Sequence, residues 1–419
     1  MFSESYSITR FLGCFSCFGF TQKPRRTSRP VGGYRNYLPQ SRKLLLDDED
    51  DIGDYEDCSY NGEATSSANG DDVELQCYAK SSEEILKRKE QDGFICRQYP
   101  VKETCKLIRS EDENGNKTIN EYVKVCKIGS GSYGKVVLYR SCVDDKHYAI
   151  KAFHKSYLLK THVTPSETAM TDVLREVLIM KMLDHPNIVS LIEVIDDPDT
   201  DYLYMVLEYV DGKWNSDGSI PSVGIGENMA RKYLRDILSG LAYLHEHNIV
   251  HGDIKPDNLL VTCTGIVKIG DFSVSQVFEN DKDELRRSPG TPAFTAPECC
   301  VGLTYHGRAA DIWALGVTLY YMVLGHYPFF GESHPDIYDK IVKNPLVLPD
   351  NMNPLLRSLL EGILCKDPTK RLTLEAVASH PWVVGEDGPI PQYMCWCKRK
   401  SLQGYQFSKS RSNICQLFL

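Results

Sequence analysis

Three glycines stand at the spacing Gly129-Ser-Gly131-Ser-Tyr-Gly134-Lys-Val136. Glycine lets a backbone turn through positive φ and approach a phosphate without a Cβ clash. Alone the pattern signals only a turn. It lies between two β-like runs, so the strand-to-helix context of a dinucleotide site is missing. Lys151, in Tyr148-Ala149-Ile150-Lys151 on the next run, alters that reading. A strand lysine is ordinarily a solvated edge residue, yet Glu176 follows on a helical stretch and offers it a carboxylate. His251-Gly252-Asp253-Ile-Lys255-Pro-Asp-Asn258 comes next, then Asp271-Phe272-Ser273, then Thr291-Pro-Ala-Phe-Thr-Ala296-Pro297-Glu298. A phosphate cradle followed by cations, carboxylates and an amide suits phosphoryl chemistry, which needs charge neutralisation and positioning.

These residues need elements to hold them. The runs YVKVCKIG (122–129), GKVVLYRS (134–141) and HYAIKAF (147–153) are β-like. TAMTDVLREVLIMKML (168–183) is a helical stretch, followed by strands around 189–195 and 203–210. Beyond about 227 the chain turns mainly helical. Met229, Tyr233, Leu234, Ile237, Leu238, Leu241 and Leu244 recur at a spacing of three or four, one face of an amphipathic helix. DIWALGVTLYYMVLG (311–325) is apolar nearly all round but only about four turns long, which predicts a buried core helix rather than a membrane span. Strands followed by helices predict an α+β chain, a small β lobe with one key helix joined to a larger helical lobe.

With six ordered elements at these spacings, residues 122–384 resemble the eukaryotic protein kinases. The resemblance implies a bilobal fold with a mainly antiparallel small lobe, at about 105–207, and a large lobe at about 211–384 within a 105–384 domain. It implies that Ile128, Gly129, Ser130, Gly131, Ser132, Tyr133, Gly134, Lys135 and Val136 cover ATP. Lys151 would hold the α- and β-phosphates while paired to Glu176. Asp253 would orient the substrate hydroxyl and accept its proton, Lys255 would neutralise the transferring group, and Asn258 and Asp271 would hold Mg2+. Val136, Ala149 and Leu260 match the apolar sandwich for adenine, with Leu207 at the back pocket and Glu208 and Val210 in the hinge. Glu298 and Arg371 match a structural ion pair.

Two positions depart from the family pattern. Its H-R-D is His251-Gly252-Asp253 here, and its D-F-G is Asp271-Phe272-Ser273. Neither change removes the base or a metal ligand. The first removes a cation that commonly reads an activation-loop phosphate. The second replaces a glycine whose φ freedom helps the loop flip, so the flipped state is expected to be sparse.

Within the superfamily the chain resembles the calcium/calmodulin-dependent kinase kinase group. It is most similar there to the plant kinases that activate sucrose-non-fermenting-related (AMP-activated-type) kinases, also known as geminivirus Rep-interacting kinases. The residues that carry this are 201–210, 251–260, 290–300, 311–320, His380-Pro-Trp382 and Gly385-Glu-Asp-Gly-Pro-Ile390. The resemblance implies a Ser/Thr kinase that phosphorylates the activation-loop threonine of an energy-sensing kinase's catalytic subunit, with a geminivirus replication protein as a further partner. A general kinase of the calmodulin-dependent group, or a non-catalytic ATP-binding scaffold, are the alternatives. Intact Lys151, Asp253, Asn258 and Asp271 argue against the scaffold.

Composition agrees with a globular core. The 419 residues are 42% hydrophobic and 25% charged, and the net charge of −9 argues against a nucleic-acid binder. The 15 scattered cysteines read as reduced thiols of a cytoplasmic protein, or one that also enters the nucleus, and no apolar run reaches the ~18 residues of a transmembrane segment. Residues 1–40 are basic and 47–57 carry eight acids, so 1–104 is expected to be a disordered arm. A 105–384 fragment is therefore expected to fold and keep activity. Within the arm, Cys14 and Cys17 are candidates for S-acylation, although a merely sticky segment explains them as well. The tail, 385–419, holds Tyr393-Met-Cys395-Trp396-Cys397-Lys-Arg-Lys400. Its aromatic and basic residues suggest calmodulin, but Pro389, Pro391 and the lack of a repeating apolar spacing favour a tail packed on the large lobe. Activity is then expected to be independent of calcium. Two cysteines there are too few for zinc.

Three hydroxyls are candidates for phosphorylation: Thr168, Ser288 and Thr291. Thr164-Pro165-Ser166-Glu167 reads as a capping box. Thr168 would then lie in the first helical turn, with Arg175 on the same face.

Overall fold

The computed structural model describes residues 82–91, 96–130, 133–163, 167–212, 223–279, 282–286, 290–302 and 304–399. Cys14, Cys17 and the charged blocks before residue 82 lie outside them, as do Gly131, Ser132 and Ser288.

Eight strands form the small-lobe sheet: β1 (Lys102–Thr104), β2 (Arg109–Glu111), β3 (Lys117–Ile119), β4 (Tyr122–Ser130), β5 (Lys135–Ser141), β6 (His147–His154), β7 (Leu191–Asp196) and β8 (Tyr202–Glu208). Their spatial order is β1-β7-β8-β6-β5-β4-β3-β2. Only β1 and β7 run parallel; the other neighbours are antiparallel. Helices α1 (Ser82–Gln91), α2 (Lys155–Lys160) and α3 (Ala169–Met182) accompany the sheet. Val173, Val177, Ile179 and Met180 bury the apolar part of α3, yet Asp172, Arg175 and Glu176 are buried too. A helix covered on several sides shows little amphipathic pattern. Its charges survive burial because each is paired.

The large lobe holds α4 (Glu227–Glu246), α5 (Pro297–Val301), α6 (Gly307–Leu324), α7 (His334–Lys343), α8 (Pro354–Ile363), α9 (Leu374–Ala378) and α10 (Pro381–Val384). Short antiparallel pairs carry its loops: β9 (Ile249–Val250) with β12 (Gln276–Val277), β10 (Leu259–Val261) with β11 (Val267–Ile269), and β13 (Glu284–Leu285) with β14 (Tyr305–His306). The periodic face of α4 is buried from Tyr233 to Leu244, whereas Met229 is exposed. Residues 311–320 of α6 are all buried, as its apolar run predicts. Among the described residues no helix is long and apolar enough to cross a membrane.

Two sequence expectations need correction. Residues 1–104 were read as a disordered arm, but Ser82–Gln91 is helical and β1 starts at Lys102. Ile85 and Leu86 are buried in the same core as Val173 and Val177 of α3. Ser82 Oγ lies 2.9 Å from Gln276 Oε1, tying the start of α1 to β12. The sequence shows no apolar period there because Ile85 and Leu86 are the helix's only large apolar residues. The second correction concerns α3, which begins at Ala169 with Thr168 as N-cap in extended conformation and no side-chain cap bond. Thr168 bridges His162 instead, so it lies before the first turn rather than within it. Residues 164–166 of the expected capping box lie outside the described residues.

Candidate active site

Strand β6 presents Lys151 and helix α3 presents Glu176, and both are buried. Lys151 Nζ donates to Glu176 Oε1 at 2.8 Å and Oε2 at 3.0 Å, and lies 3.3 Å from Asp271 Oδ1. Burial pulls the lysine's pKa down, but the charges of Asp271 and Glu176 outweigh it and hold the ammonium above its usual range. Burial also raises the Asp271 carboxyl. Lys151 and a hydrogen bond from Ser273 more than offset that, holding it at about 2. The Ser273 hydroxyl thus grips the Asp271 carboxylate, a role that residue type alone did not reveal. Phe272 is fully buried, edge-on to His251 with ring centroids 5.1 Å apart, and its backbone N–H donates to Glu176. This is the inward, assembled arrangement of the loop.

Asp253 is held from four directions. Thr291 donates to its Oδ1 through Oγ1 at 2.8 Å and through N–H at 3.0 Å. Lys255 Nζ lies 2.6 Å from Oδ2, and Asn258 Nδ2 donates to the same oxygen at 3.0 Å. Lys255 also donates to Thr291 Oγ1 at 2.6 Å. Thr291, expected as a phosphorylation candidate, is therefore a link between Asp253 and Lys255. A phosphate on that hydroxyl would set its charge against Asp253. Asp311, a lone acid in apolar α6, accepts from the backbone N–H groups of His251 at 2.9 Å and Gly252 at 2.8 Å, and from His245. A buried carboxylate demands such donors, and here it anchors the catalytic loop. Gly252 has φ +80°, a conformation that side chains strain to adopt. The missing arginine is thus matched by a relaxed backbone.

The glycine strand-turn-strand closes the other side. A Cβ on Gly134 would meet the Ala152 carbonyl oxygen at 2.1 Å, so only glycine fits there. Tyr133 donates to Asp172 Oδ2 at 2.8 Å, fastening the loop to α3. Ile128 and Leu260 are partly exposed, Val136 and Ala149 half-buried, and Ala149 pairs with Leu207 across β6 and β8. Glu208 ends β8; its carboxylate accepts from Ser190 N–H at 2.7 Å and Lys268 at 2.9 Å, and Val210 follows. Lys135 pairs with Ala152 in the ladder, beside Gly129 and Ser130 of β4. A turn that only glycine fits at Gly134, Lys151 beyond it, and the hard oxygens of Asp271 and Asn258 suit a nucleoside triphosphate with a divalent cation.

The remaining sites divide. Arg371 grips Glu298 bidentately at 2.6 and 2.8 Å, the structural pair expected. Arg175 is buried against Asp172 at 2.8 Å and lies 3.6 Å from Glu167, so its charge is already engaged beside Thr168. The tail packs against the large lobe at Tyr243 of α4 and also against His185, between α3 and β7, with Tyr393 touching both and Cys395 buried.

Comparison with known proteins agrees with this geometry. The protein kinase domain family matches residues 122–383. Serine/threonine-protein kinase GRIK1 of Arabidopsis thaliana is 61% identical over 96% of this chain and 98% of its own length. GRIK2 of the same plant is 62% identical over 96% of this chain and 95% of its own. The calcium/calmodulin-dependent protein kinase kinase of Caenorhabditis elegans is 42% identical over 65% of this chain and 54% of its own, a more distant relative. The chain belongs to the protein kinase family, and within it to the serine/threonine kinases.

Proposed function

We propose that this kinase acts on another kinase, phosphorylating the activation-loop threonine of a sucrose-non-fermenting-related energy-sensing enzyme with Mg2+ as the metal. The observation that carries catalytic competence is the assembled pair of networks, Lys151–Glu176–Asp271 and Asp253–Lys255–Thr291. Similarity over nearly the whole chain to GRIK1 and GRIK2 supports the serine/threonine kinase reading, and the resemblance of residues 201–210, 251–260 and 290–300 to kinases that activate energy-sensing kinases supports the substrate class. The oxygen donors Asp271 and Asn258 favour a hard cation such as magnesium.

When bound, ATP and its metal supply the phosphoryl group and neutralise much of its charge. The chain does the rest. Lys151 fixes the phosphates because Glu176 holds its ammonium in place. Asp253 aligns the incoming hydroxyl and takes its proton, while Thr291 and Asn258 keep that carboxylate from rotating. Lys255, 2.6 Å from Asp253, stays within reach of the group in transfer. Labelled ATP, magnesium and a catalytically dead energy-sensing kinase test the reading, with Lys151→Met as control. Label on the activation-loop threonine is expected. Label on a generic peptide but not on that threonine would leave a kinase of other substrates.

A further inference from the structure

Three cysteines and one histidine from separate stretches meet away from the catalytic networks. Cys96 follows α1, His247 caps the end of α4, and Cys395 and Cys397 belong to the tail. Their three Sγ atoms and a histidine nitrogen all lie within 4.8 Å of one another. Cys397 Sγ is 2.9 Å from Cys395 Sγ, 3.3 Å from Cys96 Sγ and 3.4 Å from His247 Nε2. None of the three is disulfide-bonded, and each separation given exceeds the ~2.0 Å of a disulfide bond. A tetrahedral zinc with Zn–S bonds of about 2.3 Å puts neighbouring sulfurs about 3.8 Å apart. The separations from Cys397 fall short of that edge by less than an ångström, and all four atoms lie within 4.8 Å of one another, so shifts of about that size would place them at its corners.

The histidine's orientation is an independent sign. His247 Nδ1 lies 2.7 Å from the Tyr243 carbonyl oxygen, which can only accept. The ring proton therefore sits on Nδ1, and the lone pair of Nε2 faces the sulfurs. A carbonyl holding the far nitrogen is the usual support of a zinc-bound imidazole. In the metal-free protein the Cys397 S–H can donate to that lone pair at 3.4 Å, and a metal ion would take the proton's place. Soft sulfur with imidazole, four ligands and no open position suit a structural zinc.

We propose that Cys96, His247, Cys395 and Cys397 bind one structural zinc ion that clasps the N-terminal flank and the tail to the end of α4. The clasp reaches the active site through the backbone. Cys96 N–H donates at 3.1 Å to the carbonyl of Met182, the last residue of α3, and α3 carries Glu176. Two cysteines in the tail looked too few for zinc because the other two ligands lie 150 and 301 residues away.

The test uses the full chain, made without a metal-affinity tag in zinc-supplemented medium and then desalted. Plasma mass spectrometry should find about one zinc per chain, released when a mercurial blocks the thiols. Cys395→Ser with Cys397→Ser should bind less than about a tenth of that, while Cys105→Ser and Cys142→Ser, at exposed cysteines, should retain it. Should the double variant fail to fold, wild-type protein refolded with cobalt still decides, through the visible bands of a tetrahedral thiolate site. Wild-type protein with less than about a tenth of a zinc per chain, or without the cobalt bands, would overturn the proposal. So would a Cys96–Cys397 disulfide in unreduced peptide maps.

Discussion

Thr291→Val removes a hydroxyl while keeping the side chain's shape. That hydroxyl donates to Asp253 at 2.8 Å and accepts from Lys255 at 2.6 Å. A hydrogen bond to a charged group contributes about 1.5–3 kcal/mol. Two are lost, but the sum overstates the effect. The Thr291 N–H still holds Asp253 at 3.0 Å, and Lys255 and Asn258 still meet its other oxygen at 2.6 and 3.0 Å. A net loss near one such bond, about 1.5–3 kcal/mol, corresponds to roughly 10–150-fold in kcat. The KM for ATP should stay within about twofold, because the hydroxyl touches neither Lys151 nor Asp271. Thr291→Ser should restore most of the rate, since it restores both bonds. Initial rates at saturating peptide and varied ATP give the split. Wild-type kcat in Thr291→Val, or a change confined to the KM for ATP, would refute the reasoning.

Three further outcomes follow from other parts of the molecule. Burial pushes His185 down to about 4, so between that value and its unfolded pKa near 6.5 the unfolded chain binds more protons and stability falls as pH falls. Urea titrations should show His185→Asn losing about 1–2 kcal/mol less than wild type between pH 7 and pH 5; equal losses would remove His185 as the cause. Ser273→Gly frees both the Asp271 carboxylate and the backbone, so inhibitors selective for the flipped loop should bind about tenfold more tightly than to wild type. Equal affinity would contradict the hydroxyl's grip. Leu86 is fully buried against the core that includes α3, so Leu86→Ala should destabilise by about 2–4 kcal/mol in chemical denaturation, and a 105–384 fragment should lose activity rather than keep it. A fully active fragment would show that α1 is dispensable.

The kinase family was legible in residue order because a kinase-type site fixes both residue type and spacing. Folding brings Lys151, Glu176 and Asp271 together and Asp253 against Asn258, and β4, β5, β6 and α6 formed where the apolar patterns lay. Such patterns are local, and local propensity and burial period can be read from a short window. Other features joined segments far apart in the chain, and only packing could reveal them. Thr291 reads as an ordinary activation-segment hydroxyl until folding places it 2.8 Å from Asp253. Helix α1 carries two apolar residues in ten, too few for a period, and becomes a core element only because α3 covers them. Gly252 looked like a lost arginine until its φ of +80° showed what the backbone requires there. Cys96, His247, Cys395 and Cys397, which meet in the fold, belong to three segments with no shared motif. Composition records how many thiols a chain has, but which of them face one another depends on how helices pack and tails return.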